Sequence, residues 1–422
     1  ADAARPDPNS SQPAASTGQT GGTAGNVVSS EVTVVATPSE QAGQATPTVP
    51  AGTLTAGSFN DNLNFDSFRT FVSKVLQADT AAALPNIPLG RRIVISVRDA
   101  VDQPLGDARV LIQTTGDQPK TILDRNTGSD GRLVFLTDLD DGAGTTLYTL
   151  TVFPPDGSPP LVETRGVQNL DWDVVFDGGG ALPRQLDLAF VIDTTQSMAG
   201  MLAYLNAAVP RVIDTVAGLY PGVTQRYALV VFRDLGDTYV ARSYDFTGSR
   251  DEFVNRLASQ TAEGGGDVPE ALHQALEKTV QLSWQPPGSG TARVLFIVTD
   301  APPHLEFARR TFDAIQALRN KAVTMFPIAA SAAYPNLEFL LRAAAFLTLG
   351  EYSFLTDDAG QGTPLARPDL PCYHVEQLDE LMTRQVRGVL SGTRVEADAV
   401  NIIRTVGNPL DGVCGPVAPP AQ

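Results

Sequence analysis

The chain has 422 residues, of which 42% are hydrophobic and 18% are charged. This length predicts two or three domains, and this composition is typical of a folded globular protein. Thirty Lys and Arg against 47 Asp and Glu give a net charge of −17, which repels phosphate backbones and argues against nucleic acid as a partner. Because the chain has only three His and two Cys, a metal site would have to use oxygen ligands.

Residues 1–57 are predicted to form a disordered tether. They consist mainly of Ala, Thr, Ser, Gln, Gly and Pro, which bury too little apolar surface to offset the entropy of ordering. The sequence starts at Ala1 rather than Met, as expected for a precursor whose signal peptide has been removed, with an artificial start as the alternative. No stretch of 18 apolar residues occurs, so no membrane-spanning segment is expected. We therefore expect a secreted or cell-surface protein.

Residues 58–80 are predicted to be a helical segment, because apolar side chains recur there at intervals of three and four and form a face that packs on the next domain. Residues 85–178 are predicted to be a small all-β sandwich, since short β-rich runs alternate with turn residues. The acidic TDLDDG segment at 137–142 is predicted to be a solvated turn rather than a calcium loop, because no Glu closes a twelve-residue loop. The β-rich runs are 92–97, 109–113, 133–136, 147–152 and 173–176.

The stretch VRDAVDQPLGDARVLI, followed by TGSDGRLVF, contains a Pro-Leu turn that leads into an Ala-x-Val strand. In this respect it resembles the carboxypeptidase regulatory-like and transthyretin-like sandwiches. The resemblance covers about 90 residues and implies an architecture only, because such sandwiches serve as spacers or binding modules.

Residues 184–392 alternate apolar strands with amphipathic helices. This pattern predicts an α/β fold, a Rossmann-like doubly wound parallel sheet that is covered by helices on both faces. In such sheets ligands bind at the carboxyl ends of the strands. The predicted strands are 187–192, 227–232, 293–298, 323–328 and 352–355, and the predicted helices are 198–216, 252–257, 269–282, 306–321, 337–347 and 375–390.

Oxygen-bearing side chains follow two of these strands. Asp193, Thr195 and Ser197 alternate in the loop DTTQS after the first strand, and Asp300 follows the strand 293–298. A third loop, EGGGDVPE, carries Asp267. We expect these five residues to bind one divalent cation. For four of these residues there is a simpler reading: Thr195, Ser197 or Asp267 could be helix caps, and Asp300 could start a turn.

These motifs resemble the metal-ion-dependent adhesion site of von Willebrand factor type A domains, namely Asp-x-Ser/Thr-x-Ser followed by a distant Thr and an Asp. The middle loop departs from the family, because Gly266 or Asp267 stands at the position of the Thr. The phrases GGGDVPEAL and VTDAPPH resemble the secreted bacterial and hemicentin-like branch, where that Asp replaces the Thr. A few carboxylates and hydroxyls together with waters suit Mg²⁺, which is therefore the favoured ion, with Mn²⁺ or Ca²⁺ as alternatives. The resemblance implies a protein partner that presents an Asp or Glu side chain to the ion.

Cys372 and Cys414 are the only cysteines. In an exported chain they predict one disulfide that ties the C-terminal tail, residues 393–422, back to the segment entering the last helix. Two reduced thiols in a cytosolic protein are the alternative. In related adhesion domains the last helix shifts when a ligand binds, and such a bridge would limit that motion.

An enzymatic function is not expected, because the chain has no Gly-x-Ser-x-Gly elbow, no His-Glu-x-x-His helix and no phosphate-binding Gly-rich loop with Lys. The sequence predicts a secreted or cell-surface binding or adhesion protein that captures an acidic group of a protein partner through its metal. An envelope or extracellular assembly component with a purely structural metal is the alternative. A metal-dependent hydrolase is the least favoured reading.

Overall fold

The computed structural model describes residues 53–78, 83–266, 268–330, 334–357, 368 and 370–415. The first part of the chain forms a strand, a helix and seven further strands. They are β1 (Thr55–Phe59), α1 (Phe65–Leu76), β2 (Arg92–Asp99), β3 (Arg109–Thr114), β4 (Thr121–Asn126), β5 (Arg132–Leu136), β6 (Leu147–Phe153), β7 (Leu161–Gly166) and β8 (Asp171–Phe176).

The rest of the chain alternates strands and helices and ends in short strands. These elements are β9 (Gln185–Asp193), α2 (Ala199–Leu219), β10 (Thr224–Phe232), β11 (Ala241–Thr247), α3 (Arg250–Ala258), α4 (Leu272–Val280), β12 (Thr291–Thr299), α5 (Ala308–Asn320), β13 (Thr324–Ala329), α6 (Pro335–Leu347), β14 (Tyr352–Thr356), β15 (Tyr373–Gln377), α7 (Leu378–Ser391), β16 (Arg404–Val406), β17 (Pro409–Leu410) and β18 (Val413–Cys414). The segment predicted to be a helix at 375–390 therefore starts inside the strand β15 and becomes helical only at Leu378.

The large sheet has the strand order β11-β10-β9-β12-β13-β14-β1-β15-β16. The five neighbouring strands β10, β9, β12, β13 and β14 are parallel. Side chains alternate between the faces along each strand, so Phe190 packs with α2, α3 and α7 while Val191 packs with α1, α4, α5 and α6. The predicted α/β fold class, a mostly parallel sheet between helices, is confirmed.

The sheet also contains a strand from the N-terminal segment. β1 lies between β14 and β15 and pairs antiparallel with both, so the predicted tether, residues 1–57, extends too far. Its other described residues, 53 and 54, precede this strand, and the remainder of the tether lies outside the described residues. The hydrophobic pattern gave no signal because β1 contains small residues. Gly57 is required there, since a Cβ at this position would lie 2.6 Å from the Phe354 ring.

α1 packs on α6 of the large sheet domain, with the Phe68 and Phe346 ring centroids 4.4 Å apart. Its contact with the β-rich region that follows it in sequence includes Arg92, whose guanidinium lies over the Phe65 ring. The expectation that this segment packs on the next domain therefore holds only in part, because α1 contacts that region but also packs on α6. The α/β domain is discontinuous in sequence, because β2–β8 are inserted between α1 and β9.

The inserted β-rich region consists of a three-stranded sheet, β5-β2-β8, and a four-stranded sheet, β4-β3-β6-β7. Both sheets contribute to one apolar core that includes Ile95, Phe135, Tyr148 and Trp172. The sequence pattern missed β4 and β7 because both carry many polar residues and lie largely at the surface. The resemblance to carboxypeptidase regulatory-like or transthyretin-like sandwiches stays a prediction.

Buried ion pairs attach the inserted region to the α/β domain. Arg293 of β12 pairs with Asp107 at 3.1 Å, and Arg319 of α5 pairs with Asp140 at 2.9 Å. Asp140 also pairs with Arg125 and accepts a hydrogen bond from the Leu136 backbone N–H. The TDLDDG segment forms a turn of π-helix, Thr137–Asp141, and the predicted solvation holds only in part, because Asp138 is exposed whereas the Asp140 side chain is 2% exposed. Its negative charge fixes two arginines at the junction.

The predicted disulfide is confirmed. Cys372 and Cys414 are bonded, with their Cα atoms 5.5 Å apart. Cys372 directly precedes β15, and β16 pairs with that strand, so the tail is held by the bond and by the sheet. The tail also contacts the start of the α/β domain, because the Cys414 backbone N–H donates to Asn64 Oδ1.

Reducing this disulfide is expected to lower the free energy of unfolding by about 4 kcal/mol, because the bond restricts the unfolded chain over a 42-residue separation. Denaturant unfolding with and without reductant measures the effect. The Cys372→Ser, Cys414→Ser double variant is the control, since reductant should not change it further. Equal stability of the oxidised and reduced wild type would contradict the prediction.

Among the described residues, no helix combines the length and the apolar character needed to cross a membrane.

Candidate metal centre

The loops after β9 and β12 lie side by side, because these strands are parallel neighbours. In the first loop Asp193 Oδ1 accepts hydrogen bonds from the Thr195 backbone N–H at 2.9 Å and from Thr195 Oγ1 at 2.7 Å. Thr195 Oγ1 lies 3.3 Å from Ser197 Oγ, and the Ser197 hydroxyl hydrogen-bonds the Asp300 carboxylate in the second loop. The structure thus brings four of the five predicted residues together in one hydrogen-bonded chain.

The capping alternatives do not account for Thr195 and Ser197. Thr195 stands at the N-cap of a short 3₁₀ turn, Gln196–Met198, but its side chain makes no cap hydrogen bond. The N-cap of α2 is Met198 rather than Ser197. Asp267 lies outside the described residues, and the N-cap position of α4 is occupied by Ala271.

Burial disfavours the charged form of the two carboxylates of the site when no cation is bound. Burial raises the pKa of Asp193 to about 7, the charge of Asp300 adds to the effect, and hydrogen bonds from Thr195 and Thr299 oppose it. Burial also raises the pKa of Asp300, against the hydrogen bond from Ser197. A divalent cation would stabilise the charged form of both groups.

Glu270 is a further acidic residue at the site that the sequence pattern did not identify. It is 3% exposed, and Oε2 has no hydrogen-bond partner within the described part of the chain. Burial raises the pKa of Glu270 to about 9, and the nearby negative charges of Asp193, Asp234, Asp300 and Asp237 add to the effect. The available signal was its position just before the apolar pair Ala271-Leu272, where the buried face of α4 begins.

Hydrogen bonds join the three loops that surround the site. The Gly265 N–H donates to Asp237 Oδ2 at 2.9 Å, and the Glu270 N–H donates to the Pro302 carbonyl at 2.9 Å. His304 Nε2 lies 2.6 Å from Asp234 Oδ1. His304 therefore pairs with the loop between β10 and β11.

The donor set fits a hard divalent cation. Carboxylate and hydroxyl oxygens are the ligands that Mg²⁺ takes in proteins, usually together with several waters. Within the described ranges no three His, Cys, Asp or Glu side chains are grouped closely enough to hold a metal by themselves. A cation here would therefore depend on the hydroxyls of Thr195 and Ser197 as well as on Asp193 and Asp300.

Residues 187–332 match the family model described as von Willebrand factor A domain. The chain is 29% identical over 241 residues to von Willebrand factor A domain-containing protein 7 of Rattus norvegicus, covering 50% of this chain and 26% of that protein. It is 26% identical over 119 residues to an ariadne-like RING finger protein of Acanthamoeba polyphaga mimivirus, covering 28% of this chain and 11% of that protein. The chain thus spans about a quarter or less of the length of these relatives.

Two solved structures are also similar. The conserved hypothetical protein BatB from Bacteroides thetaiotaomicron is 15% identical, with 51% of this chain and 90% of that chain covered and a TM-score of 0.28. Proximal thread matrix protein 1 from the mussel byssus is 17% identical, with 37% and 39% covered and a TM-score of 0.29. At these TM-scores neither structure supports an argument about this chain. The family match carries the assignment: the chain contains a von Willebrand factor A domain at residues 187–332.

Proposed function

We propose that this chain is a secreted or cell-surface binding protein whose von Willebrand factor A domain captures an acidic side chain of a protein partner through a divalent cation, Mg²⁺ being favoured. The observation that carries the proposal is the hydrogen-bonded chain Asp193–Thr195–Ser197–Asp300 at the carboxyl ends of β9 and β12. Von Willebrand factor A domains are associated with protein interaction and adhesion, which agrees with such a role. We do not propose an enzymatic activity.

Each of the four hydrogen-bonded residues has a definable role. Asp193 is buried and fixes the Thr195 hydroxyl, while Ser197 lies at the surface and connects the first loop to Asp300. When bound, the cation supplies positive charge that a carboxylate of the partner can meet. Because hydroxyls are neutral ligands, they leave more of that charge available than additional carboxylates would. The exposure of Ser197 favours partner binding over the alternative, a purely structural metal.

The surface around the site suggests the chemistry of the partner. Leu235, Val268 and Leu305 are 39%, 44% and 38% exposed, and they lie on the three loops that hydrogen bonds join around the site. Glu263 and Glu306 are exposed on the same loops. We therefore propose a partner segment that places one Asp or Glu on the cation, apolar side chains on these three residues and basic side chains further out.

A random peptide display library tests this function. We expect peptides bound in the presence of Mg²⁺ to be released by chelator and to be enriched in an Asp or Glu with apolar neighbours. The Asp193→Asn variant, used as the control, should retain none of these peptides. If the bound pool is the same with and without chelator, capture through a metal is excluded. If Mg²⁺ stabilises the protein yet chelator leaves peptide binding unchanged, the metal is structural.

A further inference from the structure

Glu270 combines deep burial with an unsatisfied carboxylate oxygen. Glu270 is 3% exposed, and its Oε2 accepts no hydrogen bond within the described residues. A buried carboxyl oxygen without a partner is unfavourable, and it is most unfavourable when the group is ionised. No other contact of this side chain in the described structure provides the missing positive charge. Retaining a glutamate at this position therefore has a stability cost that a function at the site would explain.

Two loops determine where the Glu270 carboxylate lies. Its backbone N–H donates to the Pro302 carbonyl beside the Asp300 loop. On the other side lies Gly265, where a Cβ would be 3.2 Å from Glu270 Oε1 and 3.3 Å from Thr195 Cβ. Gly265 has a φ of +73° and donates its N–H to Asp237. The absence of a side chain at Gly265 thus leaves room for the Glu270 carboxylate next to Thr195.

We propose that Glu270 belongs to the cation site as an outer carboxylate, which adds negative charge behind the hydroxyl of Thr195. This inference rests on the proposed function. It also fits the composition of the middle loop, because residues 264–266 are all glycine and offer no hydroxyl. An outer position agrees with the spacing of the acidic groups, since the described carboxylates do not form a cluster of three direct ligands.

The test compares Mn²⁺ and Mg²⁺ binding by calorimetry for the wild-type chain and five variants. Glu270→Gln is expected to weaken metal affinity about 10- to 100-fold, the range for outer groups at metal sites. The midpoint temperature of thermal unfolding of Glu270→Gln in chelator should be equal to or higher than that of the wild type. Glu277→Gln is the matched control, because Glu277 lies on α4, the helix that begins two residues after Glu270, is 35% exposed and pairs with Arg310. It should change neither quantity.

The remaining variants separate this inference from its alternatives. Asp267→Asn separates two acidic residues of the middle loop. If Asp267→Asn weakens metal binding while Glu270→Gln binds metal as tightly as the wild type, the middle-loop carboxylate is Asp267 and the inference is overturned. Glu270→Asp keeps the charge and should bind metal more tightly than Glu270→Gln. If Glu270→Asp and Glu270→Gln bind metal with equal affinity, a negative charge at position 270 does not contribute to metal binding.

Failure of the proposed function is visible in other arms of the same experiment. One outcome is that the wild type binds metal, Asp193→Asn does not, and Glu270→Gln binds metal as tightly as the wild type. This outcome would exclude Glu270 as an outer carboxylate and would still support the proposed metal site. If the wild type binds neither ion at millimolar concentration, the proposed function and this inference both fail.

Discussion

Asp193→Asn is expected to lower the affinity of the protein for Mg²⁺ or Mn²⁺ by more than about 100-fold, because removing outer groups alone reduces metal affinity about 10- to 100-fold. The variant should still fold. Asn keeps a side-chain oxygen that can accept the hydrogen bonds now made by the Thr195 backbone and hydroxyl to Oδ1 at 2.9 and 2.7 Å. Calorimetric titration with each ion measures the loss.

The same substitution should change how the stability of the metal-free protein depends on pH. The pKa of Asp193 is raised from 3.8 to about 7 in the fold, so the folded state binds more protons than the unfolded state between these values. The contribution of Asp193 to the stability of the wild type in chelator should therefore fall as the pH rises from about 4 to about 7. The difference in stability between the wild type and Asp193→Asn should therefore change over this pH range, and saturating Mg²⁺ should offset the contribution of Asp193 in the wild type.

Ser73→Ala is a suitable control for the metal titration, because Ser73 lies at the surface of α1, outside the loops of the site. It should bind metal like the wild type. Metal binding by Asp193→Asn that equals that of the control would remove Asp193 from the site. A loss of stability in chelator without any loss of metal affinity would show that Asp193 has a structural role only.

Asp61→Ala is expected to destabilise the protein by about 3–5 kcal/mol, the typical effect of removing one partner from a buried ion pair. Arg342 of α6 donates to Asp61 Oδ1 at 2.6 Å and to Oδ2 at 3.0 Å. Both side chains are 1% exposed. Arg342 also pairs with Glu338 at 3.1 Å, which does not replace the two lost bonds. Denaturant unfolding of the wild type and variant measures the difference.

Asp66→Ala provides the matched control for this prediction. Asp66 lies five residues further along, is 96% exposed and pairs with Arg69, and surface pairs contribute about 0–1 kcal/mol. Its effect should be small. Equal effects of the two substitutions would mean that β1 and α1 do not contribute to the stability of the α/β domain in the way the buried pair indicates.

The sequence predicted the fold where the signal is local. Apolar strands alternating with amphipathic helices identified the sheet, and residues at alternate positions after β9 identified Asp193, Thr195 and Ser197. Each of these patterns lies within about a dozen residues, so periodicity and turn chemistry are sufficient to recognise it. The two cysteines predicted the disulfide because no other pairing exists.

The sequence by itself determined the class of the fold, the loops that carry the candidate site and the residues that alternate there. Only the tertiary structure decided that β1 completes the large sheet, that the β-rich region is inserted into the α/β domain, and that Glu270 lies against Gly265 and Thr195. The physical reason is distance along the chain. Thr55 pairs with Thr356, and contacts between residues so far apart leave no periodic pattern in either segment.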